Sequence, residues 1–286
     1  MVRRVRAWQV ALLVIWGAVC ILPLYWMFLT SIKSNPDFIN GPRYLPFVDF
    51  VPDLQAWRYV LLEAEGGFYW RLGNSLLIAV SATLLALVFG TMAVYGATRL
   101  PTRRRWLQDR YLVAAMVATR ILPPIAVALP LYVLGKVLHL LDTHILLILV
   151  YAAAHIPVVA WLALPVIGTR RSEQEEAALL EGVSHFLIFR TILLPMAAAG
   201  LMAIAAIVFV LCWNEYLFAV VLTTDHALTL PPFLMGQMSV KEAQAGAEVE
   251  EWGRFSAATI IMVLPVMALT GAALAVLGKQ SFIRRG

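Results

Sequence analysis

The chain of 286 residues is 62% hydrophobic and only 14% charged, with a mean hydropathy of +0.82. Soluble domains carry about 25% charged and about 45–50% apolar residues, so a water-solvated fold is excluded and lipid is the solvent this composition fits. The formal charge of +5 comes from short loops, with no basic stripe interleaved with aromatics, which argues against a nucleic-acid partner.

Crossing about 30 Å of hydrocarbon takes roughly 20 mostly apolar residues. Six segments meet that length: 8–30, 73–97, 111–134, 145–167, 196–222 and 255–278. Backbone groups in lipid must be satisfied internally, and no alternating barrel pattern occurs. The expectation is an all-α integral membrane protein with six transmembrane helices in one permease-like domain.

Arg3, Arg4 and Arg6 precede the first apolar run, which continues to Leu29 without a small-x-small cleavage site, so it reads as an uncleaved span. The loop 31–72 is rich in turn residues and becomes helix-like from Leu54 to Leu62. The third span carries Arg120, Pro123, Pro124 and Pro130. Proline removes a backbone donor and kinks a helix, so this span is expected to be central and away from lipid. Cys20 and Cys212 fall inside spans and imply neither a disulfide nor a metal site. The five histidines lack ligand spacing. No internal repeat of the type that marks many secondary carriers is visible.

Six spans place both termini on the same side as loops 98–110 and 168–195. Fourteen Lys and Arg residues lie there against seven opposite, so both termini are expected in the cytoplasm. The second long outer loop, 223–254, holds Asp225, Pro231 and Pro232, then an acidic stretch read as helical up to Trp252.

The polar insert 170–195 is unlike the rest. Ser172 and Glu175 have capping-box spacing, Glu173, Glu175 and Glu176 suit a helix N-terminus, and Gly182 suits a left-handed stop. Ser184 is expected to cap a second short helix carrying Phe186, Phe189, Ile192 and Leu193, with Pro195 in the first turn of the next span. Two readings stay open on these residues: a docking element, or an amphipathic connector resting on lipid headgroups.

Glu176-Ala177-Ala178, three residues, Gly182, nine residues, then Ile192-x-Leu194-Pro195 resembles the EAA motif of binding-protein-dependent ABC importer permeases. Trp213-Asn214-Glu215-Tyr216-Leu217-Phe218-Ala219, Leu141-Asp142-Thr143 and Thr119-Arg120-Ile121-Leu122-Pro123-Pro124 are similar to the carbohydrate, maltose-type branch, second permease subunit. The similarity runs from about Ala11 to Gly286. Three positions depart from the pattern: Glu181 stands where Asp is usual, Arg170-Arg171 where Ile-Pro is frequent, and Arg284-Arg285-Gly286 where a Gly/Ala-rich tail is usual.

The resemblance implies a MetI-like permease in the bacterial inner membrane, working with a second homologous permease, a cytoplasmic ATPase dimer and an extracytoplasmic solute-binding protein. It implies that Glu175, Glu176, Ala177, Ala178, Glu181, Gly182, Phe186, Phe189 and Pro195 form the coupling surface toward the ATPase. The loop 223–254, with Gln237, Glu242 and Glu248, matches the position of a loop that faces the binding protein, or it is a solvated outer face. No Gly-x-x-x-x-Gly-Lys-Ser/Thr occurs, so ATP hydrolysis is assigned to a partner, and the chain is expected to be no enzyme and to need no cofactor.

Ionisable groups at membrane depth usually face a bundle interior or cavity. Arg120, Trp213, Asn214, Glu215 and Tyr216 are therefore candidates for the solute pathway, aromatic faces beside amides suiting sugar rings. Structural pairing is the other reading, with Glu215 paired to a partner subunit or to Arg120. A sugar leads as substrate, with a polyol or glycerol phosphate second. A proton-coupled secondary carrier using Glu215 and Arg120 is the alternative from a different class.

Overall fold

The computed structural model describes residues 7–34, 37, 43–63, 67–100, 109–168, 172–239 and 248–283. Among them the fold is helical throughout, the one exception being an isolated bridge between Pro46 and Phe50. Five helices are long and apolar enough to span a membrane, and a bent helix pair makes the sixth.

In chain order the elements are α1 (Ala7–Ser31), α2 (Gln55–Arg58, continued by a wide π turn Tyr59–Glu63), α3 (Phe68–Arg99), α4 (Asp109–Ala118), α5 (Pro124–Val137) and α6 (His144–Ile167). There follow α7 (Glu173–Leu180), α8 (His185–Trp213), α9 (Leu217–Leu222), α10 (Leu230–Ser239) and α11 (Glu248–Ile283). Two compact units divide the chain: residues 1–68 with 233–265, and residues 69–232 with 266–286.

The first unit is built around the outer end of α1. Leu29, Ile32 and Phe50 form its core with Trp57 against them, and the Trp57 indole N–H donates to the Ser31 hydroxyl at 3.1 Å. Asp49 accepts the N–H groups of Tyr44 and Leu45, both at 2.8 Å, and so closes the turn that follows. The helix-like reading of Leu54 to Leu62 matches α2 and its π turn.

The second unit holds the insert and the pathway candidates, whereas Gln237 and Glu248 belong to the first. Its α3 has 32 residues, about 48 Å at 1.5 Å per residue, longer than the roughly 30 Å of hydrocarbon it has to cross. Gly90 of α3 meets α6 closely: a Cβ there would lie 2.6 Å from Val159 Cγ1. Small residues at such crossings are how helices approach in lipid, where dispersion contacts replace the hydrophobic effect. Thr143 caps α6, its hydroxyl accepting from Leu146 N–H at 3.3 Å.

Two predicted spans differ in form. The segment 111–134 is a broken pair: α4 runs through a 3₁₀ turn, Thr119–Ile121, and α5 leaves at 90°. The residue before a proline is driven out of the helical region. Here that applies twice in a row, so Leu122 and Pro123 both take ψ near 130° and Pro124 opens a new helix. Within this single chain Ile121 is 82% and Leu129 60% exposed. Among the described residues, the chain's own side chains do not bury this elbow.

The segment 196–222 is likewise divided. α8 starts at His185, with no gap before the predicted span, and passes through a π turn, Phe189–Leu193, just before Pro195. A proline clashes with the carbonyl four residues earlier, here Thr191, and a wide turn relieves that clash without ending the helix. The helix then breaks at Asn214–Tyr216 before α9.

Candidate coupling insert and membrane breaks

The insert begins with a complete capping box: the Ser172 hydroxyl accepts from Glu175 N–H, and the Glu175 carboxylate accepts from Ser172 N–H. At the far end of α7, Val183 N–H donates to Ala178 O at 3.0 Å and Gly182 N–H to Leu179 O at 3.1 Å, the paired closure of a Schellman motif. Gly182 holds φ +79° with open space around it. A side chain there meets backbone strain of about 1–2 kcal/mol, least for Asn or Asp. Transport should therefore fall in the order Gly182→Asn, Gly182→Ala, Gly182→Val, and uptake rates at equal membrane content check the series.

Adjacent glutamates face opposite ways. Glu175 is 4% exposed, and its carboxylate receives Arg99 Nε at 2.8 Å and Nη2 at 3.2 Å. Burial pushes the Glu175 carboxyl up, but the Arg99 and Ser172 hydrogen bonds win and hold it below the ordinary carboxylate range. Losing one partner of a buried pair typically costs about 3–5 kcal/mol, because a charge is left uncompensated. Glu175 thus holds the insert from within, and of the predicted docking glutamates it is Glu176 and Glu181 that remain exposed.

The two phenylalanines also part. Phe189 is buried, its ring edge-on to Tyr95 at 5.2 Å, whereas Phe186 is 66% exposed and Leu180 90% exposed. Ala177 is exposed, Ala178 half-buried and Pro195 exposed within α8, just past its π turn. The outward face of the elbow therefore combines Glu176, Glu181, Leu180 and Phe186. Arg170 and Arg171 lie outside the described residues.

At membrane depth Arg120 and Glu215 do not pair. Arg120 Nη1 donates to Ala154 O at 3.1 Å, satisfying a carbonyl of α6. Glu215 accepts the N–H groups of Phe218 at 2.9 Å and Ala219 at 3.2 Å, so a carboxylate neutralises the N-terminus of α9. That interaction explains why a helix broken in lipid keeps its donors satisfied. Trp213 is 2% exposed and stacked on Phe209 at 5.5 Å, so it is core. Asn214 is exposed with its amide turned back to Val210 O at 2.9 Å, and Tyr216 is 42% exposed. Arg120 and Thr119 edge an otherwise apolar cavity of 580 Å³ in the crook of the α4–α5 bend, which Leu131, Leu134 and Phe218 also line.

The opposite end of the unit is tied by Asp142, a residue held at φ +58°. Its carboxylate accepts the N–H groups of Thr224, Asp225, His226 and Ala227 at 3.0–3.3 Å, and the Thr224 hydroxyl at 3.0 Å. Burial raises this carboxyl most, yet the donors from Ala227, His226 and Thr224 outweigh it and push it down to about 2. Asn74 holds the same loop, donating to His226 O at 2.9 Å and Leu228 O at 3.1 Å while its carbonyl oxygen meets His144 Nε2 at 2.8 Å. Arg71 pairs with Asp225. Of the candidates for outer contact, Gln237 lies in α10 and Glu248 opens α11, and Glu242 lies outside the described residues.

Arg99, Tyr95 and the anchoring function of Asp142 escaped the sequence reading. Arg99 counted only as one more cytoplasmic cation, and nothing in its own segment names a carboxylate 76 residues away.

Residues 82–280 match the family model of the binding-protein-dependent transport system inner membrane component. The chain is 33% identical over 250 residues to the probable ABC transporter permease protein y4oR of Sinorhizobium fredii, covering 87% of this chain and 84% of that one. It is 26% identical to the trehalose/maltose transport system permease protein MalG of Thermococcus litoralis, covering 90% and 87%. It is 29% identical to the diacetylchitobiose uptake system permease protein NgcG of Streptomyces coelicolor, covering 93% and 83%. In fold it is similar to a bacterial ABC transporter involved in the import of the acidic polysaccharide alginate, with a TM-score of 0.73, 22% identity and coverage of 93% and 94%. The chain is a multi-pass inner-membrane protein and a non-catalytic translocation component, and it belongs to the inner membrane component family of binding-protein-dependent ABC transport systems.

Proposed function

We propose that this chain is one membrane subunit of an ATP-driven importer for a sugar or sugar-like solute, coupled through insert 172–195 to a separate cytoplasmic ATPase. The observation that carries the coupling is the exposed face of a doubly capped elbow, where Leu180 is 90% and Phe186 66% exposed beside the exposed Glu176. Anionic headgroups repel such an acidic face, whereas a protein cleft with basic rims and an apolar floor fits it. A second permease covers the exposed α4–α5 elbow, since non-helical backbone at membrane depth needs cover. A solute-binding protein delivers from outside. The names of the relatives, trehalose/maltose and diacetylchitobiose permeases among them, support a di- or oligosaccharide over a polyol or glycerol phosphate. Exposed Asn214 and Tyr216 supply an amide and an aromatic face for it.

Uptake of labelled trehalose, maltose and diacetylchitobiose by cells expressing the whole importer tests this. At least one should enter, with entry lost on ATP depletion and retained with an uncoupler. Entry that fails with the uncoupler while ATP is held constant would instead establish a proton-coupled carrier.

A further inference from the structure

We propose that Tyr95 and Arg99 of α3 are positioning residues for coupling: a clamp that makes the insert and the second membrane span move as one body. This rests on the docking reading above and adds the route by which movement reaches the membrane.

Four residues apart on a helix, the two side chains share one face, and each takes one arm of the elbow. Arg99 holds the first arm, α7, through both oxygens of Glu175. The same guanidinium donates to Gly168 O at 3.0 Å and Ile167 O at 3.1 Å, which brings the end of α6 into the joint. Tyr95 holds the second arm: its hydroxyl donates to His185 O at 3.1 Å, and its ring lies edge-on to Phe189. Arg99 is 2%, Glu175 4%, Tyr95 7% and Phe189 8% exposed, so water does not compete at the joint and salt screens it little.

The geometry makes the joint stiff. A two-point arginine–carboxylate contact fixes orientation as well as distance, and a cation in the last turn of α3 also suits that helix's terminal carbonyls. The second arm is already continuous with α8. Motion of the elbow therefore enters the bundle twice, along the α8 backbone and across the clamp into α3 and the end of α6. Without the clamp the first arm keeps its loop ends and its packing on the second arm but loses its tie to α3 and the end of α6, so less of a stroke on α7 reaches the bundle.

The test uses the complete importer with its ATPase in membrane vesicles, with Cys20 replaced by Ser and nitroxide labels at Leu180→Cys on the insert and Leu84→Cys on α3. The spin–spin distance should stay narrow and unchanged between the ADP and the vanadate-trapped states. In Arg99→Ala it should shift or broaden on trapping by about 5 Å, one helical turn, and uptake should fall at least ten-fold while the ATPase still co-purifies. Tyr95→Phe should give a partial loss. Arg99→Lys, which keeps a cation and donors for Glu175 and the Gly168 and Ile167 carbonyls, should recover much of the narrow distance, which a merely misfolded chain does not do, and it decides the matter if Arg99→Ala fails to insert. A narrow, nucleotide-independent distance in Arg99→Ala, or an equally mobile one in the unmodified importer, overturns the clamp and leaves docking intact. Failure of the ATPase to co-purify with the unmodified chain overturns docking, and the clamp with it.

Discussion

Replacing Glu176 by Lys should abolish solute uptake and ATPase co-purification while leaving the amount of membrane-inserted chain unchanged. Glu176 is exposed, and its part in the helix is a backbone bond to Ser172 O that Lys keeps, so the protein can lose the carboxylate without unfolding. Its cost to α7 is limited to an unfavourable charge in the first turn, about 0.3–1 kcal/mol. At a docked surface the same change sets like charges together, which costs several kcal/mol, and about 3 kcal/mol is already a roughly 100-fold loss of affinity. Glu175→Lys should behave differently. It strands Arg99 in a buried site, so the chain itself should lose stability and membrane content should fall. Immunoblots of membranes, co-purification and uptake separate the two outcomes. A Glu176→Lys chain that transports normally would remove the docking face from the mechanism.

Replacing Asp142 should loosen the outer end of the bundle and leave the insert untouched. The carboxylate serves four consecutive backbone N–H groups and one hydroxyl, forming the anionic counterpart of a nest. Its contacts are largely at the surface, so Asp142→Ala is expected to cost about 2 kcal/mol locally, roughly 30-fold more opening of loop 223–229. Asp142 has φ +58°, a conformation Asn tolerates and Ala does not. Asp142→Asn therefore isolates the lost charge, and Asp142→Ala adds strain. The pH dependence has a fixed sign. A folded value of about 2 lies below the ordinary 3.8, so this stabilisation is complete above about pH 4 and disappears as pH falls through 2. Pepsin should cut loop 223–229 faster from pH 4 to pH 2 in the unmodified protein, and at a rate nearly independent of pH over that window, apart from the enzyme's own profile, in Asp142→Asn.

What the sequence made legible was local. Ser172-x-x-Glu175 and Gly182 encode a cap and a stop within a few residues, and both form as spelled. The unbroken spans were equally clear, since apolar length alone defines them. Pro123-Pro124 announced a disturbance but not a 90° turn, because the bend depends on two successive residues leaving the helical region. The break at Asn214–Tyr216 was hidden for a different reason. No proline or glycine marks it, and the carboxylate of Glu215 reaching forward to Phe218 and Ala219 is what satisfies the new helix start. Pairing Arg120 with Glu215 was a sound inference from charge cost, yet each charge found backbone partners nearby. Glu175 shows the general limit: as an N3 residue it is readable, as the partner of Arg99 it is not. Its neighbour Glu176 carries the same letter and faces outward.

The docking account is tested most directly by labelling Leu180→Cys with a membrane-impermeant maleimide, in chain whose Cys20 is replaced by Ser, in right-side-out and inside-out vesicles. Leu180 should react only from the cytoplasmic face, and bound ATPase should protect it. Labelling from the outer face, or unchanged labelling with the ATPase bound, would contradict the account.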